Sequence, residues 1–180
     1  MIAIDTNKGG IYLKTLERSR LDTVAELYNC SRDIRYATGI TGPVSSMDID
    51  ERLFKLHASE NDFMIGIYKY NLNKTSIKHE LQLAGLISGF LQGNTLWIKI
   101  IAILPKYRRL GIGSKSAGLL LHYFKAIYGT VEAYLSVIED NSTGILFWLN
   151  QGFSEAARIS KELFDFEQPY KVIIMHKKLY

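Results

Sequence analysis

Residues 101–114 read Ile101-Ala102-Ile103-Leu104-Pro105-Lys106-Tyr107-Arg108-Arg109-Leu110-Gly111-Ile112-Gly113-Ser114. The apolar run Leu96–Leu104 has strand character, and Pro105 closes it because proline cannot donate to a ladder. Beyond the turn, Ala117, Leu120, Leu121, Phe124 and Ile127 recur at three- and four-residue spacing. That spacing predicts a helix with one apolar stripe, stopped at Gly129. A strand is therefore delivered to a helix N-terminus through a tight, glycine-containing turn. The first amides of such a helix have no internal partners and carry the positive end of its dipole. Gly111 and Gly113 remove side chains that would hold a ligand off the backbone. The result is an anion site that fits a diphosphate. Lys106, Arg108, Arg109 and Lys115 crowd around it.

Two familiar phosphate motifs do not match. A P-loop needs four residues between its first glycine and Gly-Lys-Ser/Thr, and Gly111-Ile112-Gly113-Ser114-Lys115-Ser116 lacks that spacing. A dinucleotide fingerprint needs a third glycine where Ser116 stands.

Working outward, Val131–Ile138 reads as the next strand. The strand–turn–helix–strand unit from Leu96 to Ile138 predicts a parallel pair with a right-handed crossover. Upstream, Phe63–Tyr68, Leu81–Leu91 and Leu96–Leu104 follow one another, linked by the polar stretch 71–80 and by Gly93-Asn94. Short links of this kind predict an antiparallel meander. Earlier still come a strand at Ile11–Leu16, a helix at Ser19–Cys30, turn chemistry over 32–46 and a helix at Asp48–Ala58. Downstream, a short helix Asn141–Asn150 leaves through Gly152-Phe153, followed by strands at Ser154–Ile159 and Tyr170–Lys177. The expected class is α/β: one domain over 1–180, with a mixed, mostly antiparallel sheet and one parallel strand–helix–strand crossover.

Bulk properties narrow the function. A length of 180 residues suits a single domain with a full core. The 47% hydrophobic and 22% charged shares are those of an ordinary globular chain, which argues against disorder. Leu96–Leu104, the longest apolar run, is interrupted by Lys99 and falls far short of the ~20 residues a membrane helix needs. No signal peptide is read at the N-terminus, so the cytoplasm is the default compartment and no membrane partner is expected. Cys30 is the single cysteine, which excludes an intramolecular disulfide; a buried thiol is expected. The four histidines share no ligand spacing, so no metal is expected. The net charge of +4 comes without aromatics interleaved on an RNA-binding motif, which argues against nucleic acid.

The segment Arg108-x-x-Gly111-x-Gly113 resembles the Gln/Arg-x-x-Gly-x-Gly/Ala signature of the GNAT family of N-acetyltransferases. Ile103-Leu104-Pro105 resembles the family's Val/Ile-x-Pro strand end. Asn141, followed by Gly152-Phe153, resembles its second motif. The resemblance is close over 81–178 and elsewhere extends only to layout. It implies the acyl-CoA N-acyltransferase fold and acetyl-CoA as co-substrate. It also implies that backbone amides of Arg108, Arg109, Leu110, Gly111, Ile112, Gly113 and Ser114 bind the coenzyme A pyrophosphate. Ile101, Ala102 and Ile103 would pair with the pantetheine arm, and Asn141 and Trp148 would lie near it. The implied reaction is direct attack of a primary amine, of a small molecule or a peptide or protein, on the acetyl thioester. Homodimers are common in the family.

One departure from the pattern concerns catalysis. The family's acid, a tyrosine seven residues after the Asn and four before the Gly-Phe, falls on Trp148, whose indole is no proton acid in this pH range. Tyr134 on the adjacent strand is the candidate replacement, with water as another proton source for the thiolate. Glu139 and Asp140 are candidate bases, or else caps of the helix that follows. Tyr36 is a candidate wall of the acceptor pocket. The alternative function is a non-catalytic coenzyme A-binding or sensor module.

Overall fold

The computed structural model describes residues 1–30, 34, 42–70, 81–161 and 170–180. Strands β1 (Asp5–Lys8) and β2 (Ile11–Thr15) form an antiparallel hairpin around Gly9-Gly10. Both glycines have positive φ, 59° and 78°, as a tight two-residue hairpin turn requires. β1 was not anticipated, because Asp5-Thr6-Asn7-Lys8 is polar and mostly exposed and so carries no alternation. A 3-10 turn over Arg18–Arg20 leads into α1 (Leu21–Cys30). Helix α2 (Ser46–His57) begins two residues earlier than expected. Ser45 Oγ accepts the Asp48 amide and Asp48 Oδ2 accepts the Ser45 amide, a reciprocal capping box. The Ser45 hydroxyl, donating to Asp48 Oδ2 at 2.6 Å, and then the Ser45 amide hold the Asp48 carboxyl below the ordinary carboxylate range.

The remaining elements are β3 (Asp62–Tyr70), β4 (Leu81–Gln92), β5 (Thr95–Ile103), α3 (Ile112–Tyr128), β6 (Glu132–Ile138), α4 (Ser142–Asn150), β7 (Ser154–Lys161) and β8 (Tyr170–Lys178). One eight-stranded sheet runs β1-β2-β3-β4-β5-β6-β8-β7. Among the described residues only β5 and β6 pair in parallel, so the sheet is mixed as the crossover pattern predicted. The stretch 71–80 and most of the turn 32–46, Tyr36 included, lie outside the described residues. Among the described residues no helix is long and apolar enough to cross a membrane.

A core packs on each face. Alternation along β3 sends Phe63, Ile65 and Ile67 to the face covered by α3 and α4, where Leu120, Phe124 and Trp148 meet them. Met64 and Tyr68 point the other way, to Val24, Leu27, Ile49 and Leu53 of α1 and α2. Ile127 is 62% exposed, contrary to the reading that placed it in the α3 stripe, because in the last helical turn it is Tyr128 that turns toward the core and packs on Phe124. Cys30 is likewise exposed rather than buried, since it ends α1 beyond the last packed turn.

One irregularity positions the site. The β4–β5 register jumps from Ser88↔Ile100 to Gly89↔Ile98, which leaves Lys99 as an extra residue. A bulge of this kind turns the strand over. Leu96 and Ile98 enter the α3–α4 core, while Ile100 and Ala102 enter the α1–α2 core. Lys99 Nζ is anchored 2.9 Å from Asp62 Oδ1.

Candidate active site

The parallel pair is short. Its rungs run from Thr95↔Glu132 to Ile98↔Leu135 and stop there. Beyond them β5 continues to Ile103 and β6 to Ile138 with no further rung between them. The β5 edge over 99–103, including Ile101, Ala102 and Ile103, thus faces a gap that opens toward the turn after Pro105. Partner-free strand edges are hydrogen-bonding templates for an extended chain.

At the mouth of that gap the backbone makes two unusual bends. Gly111, the N-cap of α3, has φ 72°, and Arg109 has φ 60°, the one non-glycine residue with positive φ among those described. Strain of this kind costs on the order of 1–3 kcal/mol and collects at functional sites. It is the feature that sequence reasoning missed, since nothing in an arginine announces a left-handed conformation. The first intrahelical bond is Lys115 N–H to the Gly111 carbonyl at 3.0 Å. The amides of Ile112, Gly113 and Ser114 therefore have no helical acceptor. Ile112 is buried and anchors the turn, while Arg109, Leu110, Gly111 and Ser114 are exposed.

The supporting contacts are specific. Arg108 Nε donates to the Ile103 carbonyl at 2.9 Å, so this guanidinium braces the strand end and occupies that carbonyl. The Tyr107 hydroxyl donates to Gln82 Oε1 at 2.8 Å, and Lys106 and Lys69 lie over the Tyr107 ring. A Cβ on Gly113 would meet Phe147 at 3.4 Å and Ile103 at 3.7 Å, so α3 sits close on α4 and the end of β5. Gln151 Nε2 donates to Ser114 Oγ at 3.1 Å and ties the end of α4 to the start of α3.

Asn141 N-caps α4, its Oδ1 accepting the Gly144 amide at 2.8 Å. This corrects the expectation that Glu139 or Asp140 caps that helix: the cap residue must precede the first helical turn directly, and Asn141 holds that place. Glu139 instead takes a bond from Arg158, which also holds Glu155. Glu155, and then Glu139, raise the Arg158 pKa further, and Arg158 lowers that of Glu155. Trp148 is 6% exposed, packed edge-on between Phe147 and Phe153 at 4.9 and 5.1 Å. Tyr134 lies on the opposite face from Trp148, on the rung Trp97↔Tyr134 at the closed base of the parallel pair. Its ring stacks on Trp97 at 5.0 Å and on His176 at 4.5 Å. The turn, the gap, Asn141 and Phe147 thus come together at one end of the β5–β6 pair, and Tyr134 lies at the foot of the gap, one rung before the ladder stops.

A splayed parallel pair feeding a helix N-terminus offers an open strand edge for an extended chain beside backbone donors for an anion. The description "Acetyltransferase (GNAT) family" matches residues 32–153. The chain belongs to the GNAT family of acetyltransferases. An N-alpha-acetyltransferase of Sulfurisphaera tokodaii is 36% identical over 70 residues, 39% of this chain and 42% of that protein. The match thus spans less than half the length of that curated relative. A spermidine N-acetyltransferase of Vibrio cholerae, solved with CoA and spermine, shares the fold with a TM-score of 0.73 at 19% identity, over 94% of this chain and 95% of that one. The ribosomal-protein-S18-alanine N-acetyltransferase of Escherichia coli does so with a TM-score of 0.65 at 17% identity, over 93% of each chain.

Proposed function

We propose that this chain transfers an acetyl group from acetyl-CoA to a primary amine of a small molecule or peptide. The observation that carries the reading is the juxtaposition of the β5–β6 gap with the partner-free amides of Ile112, Gly113 and Ser114. The residues fit the group: an anion meets aligned N–H donors at a helix N-terminus, and an amide-bearing arm meets an open strand edge. In this reading the backbone from Arg108 to Ser114 holds the pyrophosphate, with Arg109 and Lys115 adding charge. Ile101 and Ala102 offer the strand edge, while Arg108 holds the Ile103 carbonyl and keeps β5 from drifting into the gap. Asn141 follows the end of β6, at the mouth, as the N-cap of α4. Trp148 acts from beneath, by supporting Phe147, against which Gly113 packs.

Bound acetyl-CoA supplies an acyl carbon that a neutral amine attacks. The chain must strip a proton from the incoming ammonium and return one to the departing sulfur. Tyr134, at the base of the gap, is the proposed donor to sulfur. No covalent intermediate on the protein is required, which suits a site without a nucleophile–base pair.

Isothermal titration with acetyl-CoA, followed by thiol release across a panel of amines, tests the proposal. Binding with turnover of at least one amine is expected. Failure to bind overturns it, and binding without turnover of any amine favours a sensor instead.

A further inference from the structure

Five side chains, Thr95, Glu132, His176, Tyr134 and Trp97, form a continuous array at the closed base of the β5–β6 pair, and only Tyr134 among them has a part in the reading above. Glu132 on β6 accepts from Thr95 Oγ1 at 3.2 Å through Oε1 and meets His176 Nε2 at 3.1 Å through Oε2. His176 on β8 pairs in register with Tyr134, and the two rings lie 4.5 Å apart. Tyr134 in turn faces Trp97, one rung (about 3.3 Å) before the last rung at Ile98↔Leu135. The imidazole is therefore held one strand away from the point where the gap begins. It lies on the sheet face opposite α3, because Leu135 and Met175 on the alternate positions enter the α3–α4 core.

The array fixes the chemistry of the ring. Both Glu132 oxygens are engaged, so the carboxylate is oriented, and Oε2 is placed to accept a proton carried on His176 Nε2. A carboxylate on one ring nitrogen sets the tautomer and leaves the other nitrogen with its lone pair. No hydrogen bond among the described residues occupies His176 Nδ1. His57 is different: its Nδ1 meets the Leu53 carbonyl of its own helix at 2.6 Å and is spent on structure. The His176 side chain is 19% exposed, enough to be reached and enough to be held. The groups facing it are Glu132 and Tyr134 from β6, Thr95 and Trp97 from β5, Ser154 across the β7 rung and Lys178 on its own strand.

We propose that His176 is the proton acceptor of the reaction, with Glu132 as its positioning residue. This rests on the acetyl-transfer reading above. The acceptor ammonium gives one proton to Nδ1. Its lone pair then forms the C–N bond as the C–S pair leaves with sulfur. A second nitrogen proton is lost as the amide forms, and Tyr134 relays it to sulfur. The third stays on the amide, and the Nδ1 proton passes to solvent. Glu139 differs in that Arg158 engages its Oε1, so its carboxylate is held by a cation rather than by a second proton carrier.

The test uses the full chain and an amine that the wild type acetylates. His176→Gln keeps a donor toward Glu132 and removes the basic nitrogen. Its kcat is expected to fall on the order of 100-fold, with acetyl-CoA affinity and Tm unchanged and the acidic limb of the pH profile lost. A kcat within threefold of wild type overturns the assignment. If His176→Gln does not fold, Glu132→Gln decides: kcat down about tenfold supports it, unchanged kcat overturns it. Imidazole 15N NMR on the free protein gives a readout independent of turnover. An Nε2-protonated neutral ring supports the proposal, and a ring protonated on Nδ1 at the assay pH overturns it. A wild type that turns over no amine overturns the transfer reading along with it; a wild type that works beside an unimpaired His176→Gln overturns His176 alone.

Discussion

The two ends of the β5–β6 pair are built from the same two strands and behave in opposite ways. At the base, four rungs close the ladder, and Phe90, Trp97, Tyr134 and His176 form a row of rings across β4, β5, β6 and β8 on one face. Past the Lys99 bulge the ladder ends, β5 turns over, and the edge is left without a partner. Side-chain packing dominates one end and backbone polarity the other. A parallel pair splays where a bulge on its far side redirects one strand, and the turn that follows supplies the donors the gap lacks.

Substitutions can separate the two ends. The largest effect is expected from Gly111→Val, which forces a β-branched residue to φ 72°. Strain of this kind is worth about 1–3 kcal/mol, so acetyl-CoA affinity should weaken about 30-fold by titration calorimetry as the turn relaxes. Gly93→Val, at φ 57° in the β4–β5 turn, should lose comparable stability and leave that affinity unchanged. Equal losses of affinity in both would show that the Gly111 turn has no special part.

Gly89→Ala strikes the base. Its Cβ would stand 2.2 Å from the Trp97 carbonyl oxygen, so a strand must move. Overpacking of that order costs about 2 kcal/mol or more, readable as a lower midpoint in urea. Trp148→Phe removes part of a buried ring and should cost about 2 kcal/mol, below the full truncation range. Turnover should stay within about tenfold, since in our reading the indole supports Phe147 and transfers no proton. A collapse of kcat at unchanged affinity would give Trp148 a direct role.

Two smaller effects concern ions. Burial pushes the Asp62 carboxyl up, but hydrogen bonds from Ser59 and Lys99 and the Lys99 charge outweigh it, and the net shift is downward. A lowered folded pKa means the contribution is present above the unfolded carboxylate value and is lost as pH falls through the folded one. Acid titration of stability should therefore be shallower in Lys99→Met than in wild type. Glu139→Gln should change turnover less than about threefold and stability by under ~1 kcal/mol, as for an exposed ion pair. A large loss of kcat would return Glu139 to the role of base.

The sequence alone predicted the crossover, because the relevant signals are local. Pro105 ends a strand, Gly111 and Gly113 open a helix, and a stripe from Ala117 to Phe124 gives its face. The Ser45-x-x-Asp48 capping box and the Gly9-Gly10 hairpin were equally local and were there to be read. The coenzyme turn was legible as far as its glycines.

Other features depended on residues far apart in the chain. The bulge at Lys99 exists because β4 and β5 differ in length between fixed rungs, and no property of lysine encodes it. The left-handed Arg109 is imposed by the closure of the turn on both sides. Glu132 and His176 stand 44 positions apart and meet because β8 returns beside β6. Patterning determines which segments become strands and helices, because each residue answers to its neighbours three or four positions away. The placement of one titratable group against another is decided only when the sheet closes, because that is when the cost of burying each is matched by a partner.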